Sequence, residues 1–221
     1  MPRSKTPAEK IDRRLLAAAS FVRRGAVFAD IGTDHAYLPV FLVSSGIVER
    51  AFAADINRGP LDRADENIAL SGLAGQIETR LTDGLCGLEG LSITDIAICG
   101  MGGDLMADIL DRAPWAKKAS LVVQPMSKQE RLRRYLRDNG YTIAEERLVY
   151  EEHRLYTLMR IEEGAYEGGD HLLWSKAMES DPLFSDYIRA LRSRFQRQFD
   201  GSGSEEDRRM LELLKEREAC L

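Results

Sequence analysis

The sequence predicts an α/β fold: a mostly parallel sheet closed by a terminal antiparallel β-pair, followed by a C-terminal helical hairpin. Three observations carry that expectation. Five short strand-like runs, starting at Ala26, Arg50, Gln76, Asp95 and Ala119, alternate with segments of helical periodicity. Two strand-like segments, 141–149 and 154–161, then follow one another across a short turn. Beyond Gly164 the composition shifts, with Gly168 and Gly169 marking a junction, and the chain reads as helix. The expected division is a sheet-bearing unit over 1–164 and a helical, coiled-coil-like arm over 165–221.

Composition narrows the classes of function. With 44% hydrophobic and 30% charged residues in 221, the chain has the balance of a soluble globular protein. No apolar run approaches the roughly 18 residues that cross a bilayer. The segment MPRSKTPAEK is charged and lacks an apolar h-region, so export is not expected. Cys86, Cys99 and Cys220 are far apart and form no C-x-x-C pair, which favours reduced thiols in a cytoplasm. His35, His153 and His171 are equally scattered, and no metal is expected. The net charge of −5 does not mark a nucleic-acid binder, but its distribution is uneven. Residues 1–25 hold seven Lys/Arg against two acids, 128–137 five against one, and 186–199 four against one. Such clusters suit a phosphate-tracking face or, equally, solvated helix surfaces.

Taken in order, residues 7–24 read as one amphipathic helix. Ile11, Leu15, Ala18, Ala19 and Val22 form its apolar stripe, and Arg13, Arg14, Arg23 and Arg24 its basic faces. The next stretch, AVFADIGTDHAYLP, organises the chain. An apolar strand ends on Asp30, Gly32 turns, and Thr33, Asp34 and His35 open a helix through Ser45. Such a strand–glycine–helix turn sits at the carboxyl end of a sheet, where open α/β folds bind nucleotide-like ligands. The strand RAFAAD again ends in an acid, Asp55, and Ile56, Asn57 and Pro60 lead to a helix over 61–70. Asp55 lies about twenty residues beyond the glycine turn, where a carboxylate takes ribose hydroxyls. A third strand, 76–81, runs into Asp83 and Gly84, and a fourth, 95–99, into Gly100, Met101, Gly102 and Gly103. The last three glycines suit a loop-to-helix turn or a floor where a flat base lies against backbone. A fifth strand, 119–123, ends at Gln124-Pro125. Ser127 and Glu130 spell a capping box for the next helix. Its inward face is Leu132 and Leu136, with Arg131, Arg133, Arg134 and Arg137 outside. In the arm, 171–199 reads as a long helix interrupted near Asp181-Pro182. A turn at 201–204 leads to a second helix, 205–218, with Leu211 and Leu214 on its apolar face.

The turn chemistry selects the cofactor. A dinucleotide site calls for G-x-G-x-x-G to admit a pyrophosphate, whereas this turn has one glycine and two acids, Asp30 and Asp34. Carboxylates repel a pyrophosphate but suit a ligand that carries an ammonium and a sulfonium. S-adenosylmethionine is such a ligand. Asp30, Asp55 and Asp83, at three successive strand ends, are expected to meet its amino-acid end, ribose and adenine. The β/α order with its antiparallel close matches a Rossmann-like class I methyltransferase sheet.

The segments ADIGTDHAYLP, ADINRGPL, TDGL, ICGMGG and the Gln124-Pro125 run resemble the bacterial tRNA (adenine(22)-N1)-methyltransferase family over about residues 11–161. Met126 departs from the pattern, since many relatives carry Asn after the Gln-Pro. The resemblance implies S-adenosylmethionine-dependent methylation of N1 of adenine 22 in tRNA. With it the cofactor site is expected to be Asp30, Gly32, Thr33, Asp34, His35, Asp55, Ile56, Asn57, Asp83, Gly84 and Gly100. His35, Tyr37, Gly100 and Met101 are expected to position the target base, and Arg13, Arg14, Arg131 and Arg134 to meet RNA. N1 of adenine has a free in-plane lone pair, so positioning replaces a general base. The [DN]-P-P-[YF] motif of amino-directed adenine methyltransferases is absent after strand four, which argues against N6 chemistry. N1 takes part in pairing, so the base must be unpaired or extruded. A small-molecule or other-RNA methyltransferase and a cofactor-free, non-catalytic tRNA-binding protein are the competing readings. A small-molecule enzyme would predict a lid of apolar and aromatic residues, against which the basic N-terminal and post-Gln124 helices argue; a cofactor-free binder leaves the three strand-end acids without a purpose. The oligomeric state is open between monomer and weak dimer, as is the arm's role as tRNA grip or dimer contact.

Overall fold

The computed structural model describes residues 6–167, 169 and 171–221, so Arg3, Lys5 and Gly168 lie outside the described residues. Seven strands form one sheet: β1 (Val27–Ile31), β2 (Arg50–Asp55), β3 (Ile77–Leu81), β4 (Asp95–Gly102), β5 (Ser120–Ser127), β6 (Tyr141–Glu151) and β7 (Arg154–Glu163). Their order is β3-β2-β1-β4-β5-β7-β6. β1 to β5 pair in parallel, and β7 runs antiparallel to both β5 and β6. The expected mixed sheet is therefore present. The helices are α1 (Arg13–Ala19), α2 (Tyr37–Ser44), α3 (Arg58–Leu70), α4 (Gly103–Asp111), α5 (Gln129–Asp138), α6 (Phe184–Ser202) and α7 (Glu205–Ala219).

The two-residue period of the strands explains the layering. On one face Ala29, Ile31, Phe52, Ile96 and Ile98 pack with Met106 of α4 and Leu132 and Leu136 of α5. On the other, Phe28, Ala51, Ala53 and Ala97 pack with Ala18 of α1, Leu38 and Leu42 of α2, and Ile68 of α3. Both faces are covered, which is why the inner parallel strands β1, β2, β4 and β5 read as near-continuous apolar runs while the edge strand β3 does not. A third cluster joins Leu148 of β6 to Trp174, Phe184, Ile188, Leu211 and Leu214, so the helical hairpin lies against the edge strand. Asp181 accepts the Leu148 backbone N–H at 2.9 Å, which satisfies a donor that an edge strand would otherwise expose.

Four local expectations are corrected. The N-terminal helix is two pieces, a 3₁₀ turn (Pro7–Lys10) and α1. Asp12 separates them because its carboxylate accepts the Leu15 N–H at 2.6 Å and caps α1. Residues 171–175 are not helical, and only a 3₁₀ turn (Lys176–Ser180) precedes α6, since His171 and Glu146 take the Leu173 and Ser175 N–H groups. No Ser127–Glu130 capping box forms. β5 extends through Ser127, Lys128 turns at φ 54°, and Glu130 pairs with Arg194 of α6. Arg133 does not decorate α5: it is fully buried and paired with Glu146 of β6. Burial alone would lower the pKa of Arg133, but the Glu146 carboxylate, with Tyr187 and Tyr166 beside it, raises it on balance.

Candidate active site

The strand order reverses between β1 and β4, and a crevice opens at their carboxyl ends. The chain leaves β1 through Gly32, at φ 77°, a backbone state that glycine adopts without strain. The Gly32 and Thr33 N–H groups both donate to the Ala54 carbonyl, at 2.8 and 3.0 Å, so the turn is tied to β2. Thr33 Oγ1 accepts the Ala36 N–H at 3.2 Å, and Ala36, at φ 54°, delays the start of α2 to Tyr37. A cavity of 310 Å³ opens above this turn. It is lined by Asp30, Gly32, Thr33, Asp34, His35, Tyr37 and Gly100 together with Arg14, Leu15, Ala36, Leu38 and Cys99. Seven residues assigned to the cofactor or target base from sequence thus share one wall.

Their electrostatics differ. Asp30 is 8% exposed, and desolvation pushes its carboxyl up to about 6. The Thr33 hydroxyl bond works against that rise and the neighbouring Asp55 charge adds to it. Burial also pushes the Cys99 thiol up, which leaves it an inert wall. Asp34 is exposed; it pairs with Arg63 of α3 and lies 3.6 Å from His35 Nε2. The His35 and Tyr37 rings stack at 4.9 Å between centroids and 12° between planes, one near-parallel over the other.

The remaining expected residues stand outside the cavity lining. Asp55 ends β2 and accepts the Asn57 N–H at 2.7 Å, while Ile56 is exposed. Asp83 receives a two-pronged contact from Arg112, which caps the end of α4, at 2.6 and 3.2 Å, and this holds its carboxyl below the usual range. Gly84 packs against Ile109. Met101 lies across the Gly32 turn: a methyl group added at Gly32 would overlap its Cε. The glycine loop has separate structural reasons. Gly100, at φ 80°, makes the bulge that interrupts β4–β5 pairing, and a Cβ on Gly103 would strike the Lys128 carbonyl.

The basic residues divide. Arg13 is exposed beside the β6–β7 turn, where Glu151 accepts its backbone N–H at 2.8 Å. Arg131 pairs with Asp104 at 3.0 Å, and with Arg134 it lines a groove between α4 and α5. Arg14 departs from the outward face expected of it. Its guanidinium turns into the cavity and donates to Gln124 Oε1 at 2.9 Å. Gln124, a site residue not singled out from sequence, is fully buried within β5 and also accepts the Gly100 N–H at 3.2 Å. Its signal was the one that marked Asp30 and Asp55, a polar residue closing an apolar run.

A reversed seventh strand beside five parallel ones, with carboxylates at the tips of β1 and β2, is a frame for a cationic nucleoside rather than a dinucleotide. Consistent with that frame, the family model described as a methyltransferase domain matches residues 11–159; this is a class I methyltransferase domain. The tRNA (adenine(22)-N(1))-methyltransferase of Bacillus subtilis (strain 168) is 34% identical over 165 residues, which are 72% of this chain and 69% of that protein. The crystal structure of the B. subtilis m1A22 tRNA methyltransferase TrmK superposes with a TM-score of 0.79 at 29% identity, covering 95% of this chain and 96% of that one. M. capricolum TrmK, solved with the cofactor product S-adenosyl-homocysteine, gives 0.77 at 28% identity, covering 95% of each chain. Streptococcus pneumoniae Sp1610, solved with S-adenosyl-L-methionine, gives 0.86 at 30% identity, covering 93% of this chain and 98% of that one. The chain belongs to the tRNA (adenine(22)-N1)-methyltransferase family. Among the described residues no group of three or more His, Cys, Asp or Glu is placed to hold a metal, and no helix is long and apolar enough to cross a membrane.

Proposed function

We propose that this protein transfers a methyl group from S-adenosylmethionine to N1 of adenine 22 in tRNA. The likeness to the B. subtilis enzyme carries the reading, because the matched methyltransferase domain contains the whole β1–β4 crevice. The residues at the strand tips fit the cofactor. Asp30 is a buried carboxylate with no ion pair among the described residues, and a ligand cation is the partner such a group lacks. Asp55 offers carboxylate oxygens at the second tip. Asp83 fits less well, since its oxygens already serve Arg112.

When bound, the cofactor supplies an electrophilic methyl group on sulfur. The protein has to present N1 in line with it and keep the base still. Among its residues, the stacked His35–Tyr37 pair offers a stacking surface and the Gly100–Gly102 backbone leaves space at the tip of β4. Transfer places a positive charge on the purine, and cleft carboxylates and carbonyls stabilise it. On this reading the outward Arg13, Arg131 and Arg134 meet tRNA phosphates, and the protein works in the cytoplasm, where tRNA is. Transfer of labelled methyl to tRNA transcripts with and without adenine at position 22 tests the proposal. Equal labelling of the two would overturn the site assignment.

A further inference from the structure

Arg14 has the wrong surroundings for a phosphate anchor. Its side chain is 22% exposed, against 67% for Arg131. Its Nη1 is held by the buried Gln124 Oε1 at 2.9 Å, and its Nη2 lies 3.3 Å from the helix-capping Asp12. The guanidinium carbon sits 5.6 Å from the centre of the Tyr156 ring on β7, and Nη1 is 3.7 Å from where a Cβ on Gly100 would stand. Nη1 is also 4.0 Å from Sδ of Met126, which is 44% exposed. The fork is therefore clamped between the tips of β4 and β5, in the same cavity as Asp30 and the His35–Tyr37 pair. A phosphate-tracking arginine needs reach and solvent; this one has been given a fixed plane and a fixed direction.

We infer that Arg14 reads the target base, donating an N–H in plane to a ring nitrogen of the purine that is not the one methylated, either N3 or N7. The two partners leave donors of its five N–H groups for a ligand. Both candidate nitrogens are lone-pair acceptors in the base plane, and a planar guanidinium held at one edge matches that geometry where a lysine does not. A base so held on one edge has N1 aimed by rigid-body geometry, and misplacement by about 1 Å costs on the order of a hundredfold in rate. This inference rests on the adenine-N1 reading.

The test crosses substitutions in protein and RNA. Single-turnover methyl transfer is measured for the wild-type protein, Arg14→Lys and Arg14→Gln. The substrates are tRNAs carrying adenosine, 3-deazaadenosine or 7-deazaadenosine at position 22. Binding of S-adenosylhomocysteine and of tRNA, across a salt series, is followed alongside. The wild type is expected to lose about tenfold to a hundredfold with one deaza base, the cost of a charged hydrogen bond. Both variants are expected to be slower by a similar factor on adenosine, to show no further loss with that same deaza base, and to keep cofactor affinity and salt slope. Equal losses from the deaza base in wild type and variants, or no loss with either deaza base in wild type, would overturn the inference. So would a weaker tRNA affinity with a salt slope reduced by about one, which is the behaviour of a phosphate contact. Failure of the wild type to label ordinary tRNA would overturn the adenine-N1 reading itself, and this inference with it.

Discussion

Replacing Asp30 with asparagine should make the ligand-free protein more stable and a poorer cofactor binder. The carboxyl rises from 3.8 to about 6 on folding, first because burial strips its water. The folded state therefore holds that proton more tightly than the unfolded chain. Its contribution to stability is fully present below pH 4 and is lost as pH rises through about 6. A shift of about two units amounts to ~3 kcal/mol at pH 7, roughly half of it already lost by pH 5. Asparagine removes the charge, but its amide N–H groups need acceptors in the cavity, so the expected gain at pH 7 is about 1–3 kcal/mol. In a chain of this length that raises the melting temperature by about 2–4 °C per kcal/mol. Urea unfolding of both proteins at pH 4.5, 5.5 and 7 measures it, and the curves should diverge as pH rises. Calorimetry with S-adenosylhomocysteine should show affinity weakened tenfold or more, through loss of the carboxylate proposed to face the ligand's ammonium. A variant that is no more stable at pH 7, yet folded, would refute the account of Asp30 as a buried uncompensated charge. Unchanged affinity would remove it from the cofactor site.

Further outcomes follow from the same geometry. Arg133→Met should cost about 3–5 kcal/mol in denaturant unfolding, because it strands the Glu146 carboxylate in the interior; adding Glu146→Gln should recover part of that. Gly32→Ala should cost about 1–2 kcal/mol from the φ of 77° alone, and Met101→Ala in the same background should not restore it, since the Met101 tip can swing aside. Arg13→Ala should lower tRNA affinity and reduce the salt slope by about one, and an unaltered slope would return that position to scaffold. Asp55→Ala should weaken S-adenosylhomocysteine by about 1–3 kcal/mol in calorimetry, through loss of charge-assisted hydrogen bonds.

β1, β2, β4 and β5 were legible because each buried run is short, largely apolar and closed by a polar or glycine residue. β2 begins and ends where RAFAAD predicts. The turn at Gly32 was legible for a related reason: one glycine flanked by Asp30 and Asp34 encodes both the bend and its charge. Misreadings cluster where a residue has two physically sound uses. Arg133 carries the same local signature as Arg131 and Arg134, three charges on one helix, and only the approach of Glu146 from β6 makes its burial tolerable. Ser127 and Glu130 have capping-box spacing, but β5 claims the serine and Arg194 the glutamate. In residues 171–175 helical periodicity lost to side-chain acceptors, the local His171 and Glu146 brought from β6.

The sequence by itself therefore determined the α/β order, the acid-tipped strands and a turn that suits a cation rather than a pyrophosphate. Those are properties of neighbouring residues, fixed by backbone freedom and by the period of burial. Only the tertiary structure decided that Arg14 faces the cavity, that Gln124 holds it, that Arg112 occupies Asp83, and that Asp30 stands buried with no ion pair among the described residues. Each depends on residues about thirty to a hundred and ten positions apart meeting at one end of a sheet. A charge's surroundings, and hence its chemistry, are set by what the fold brings beside it.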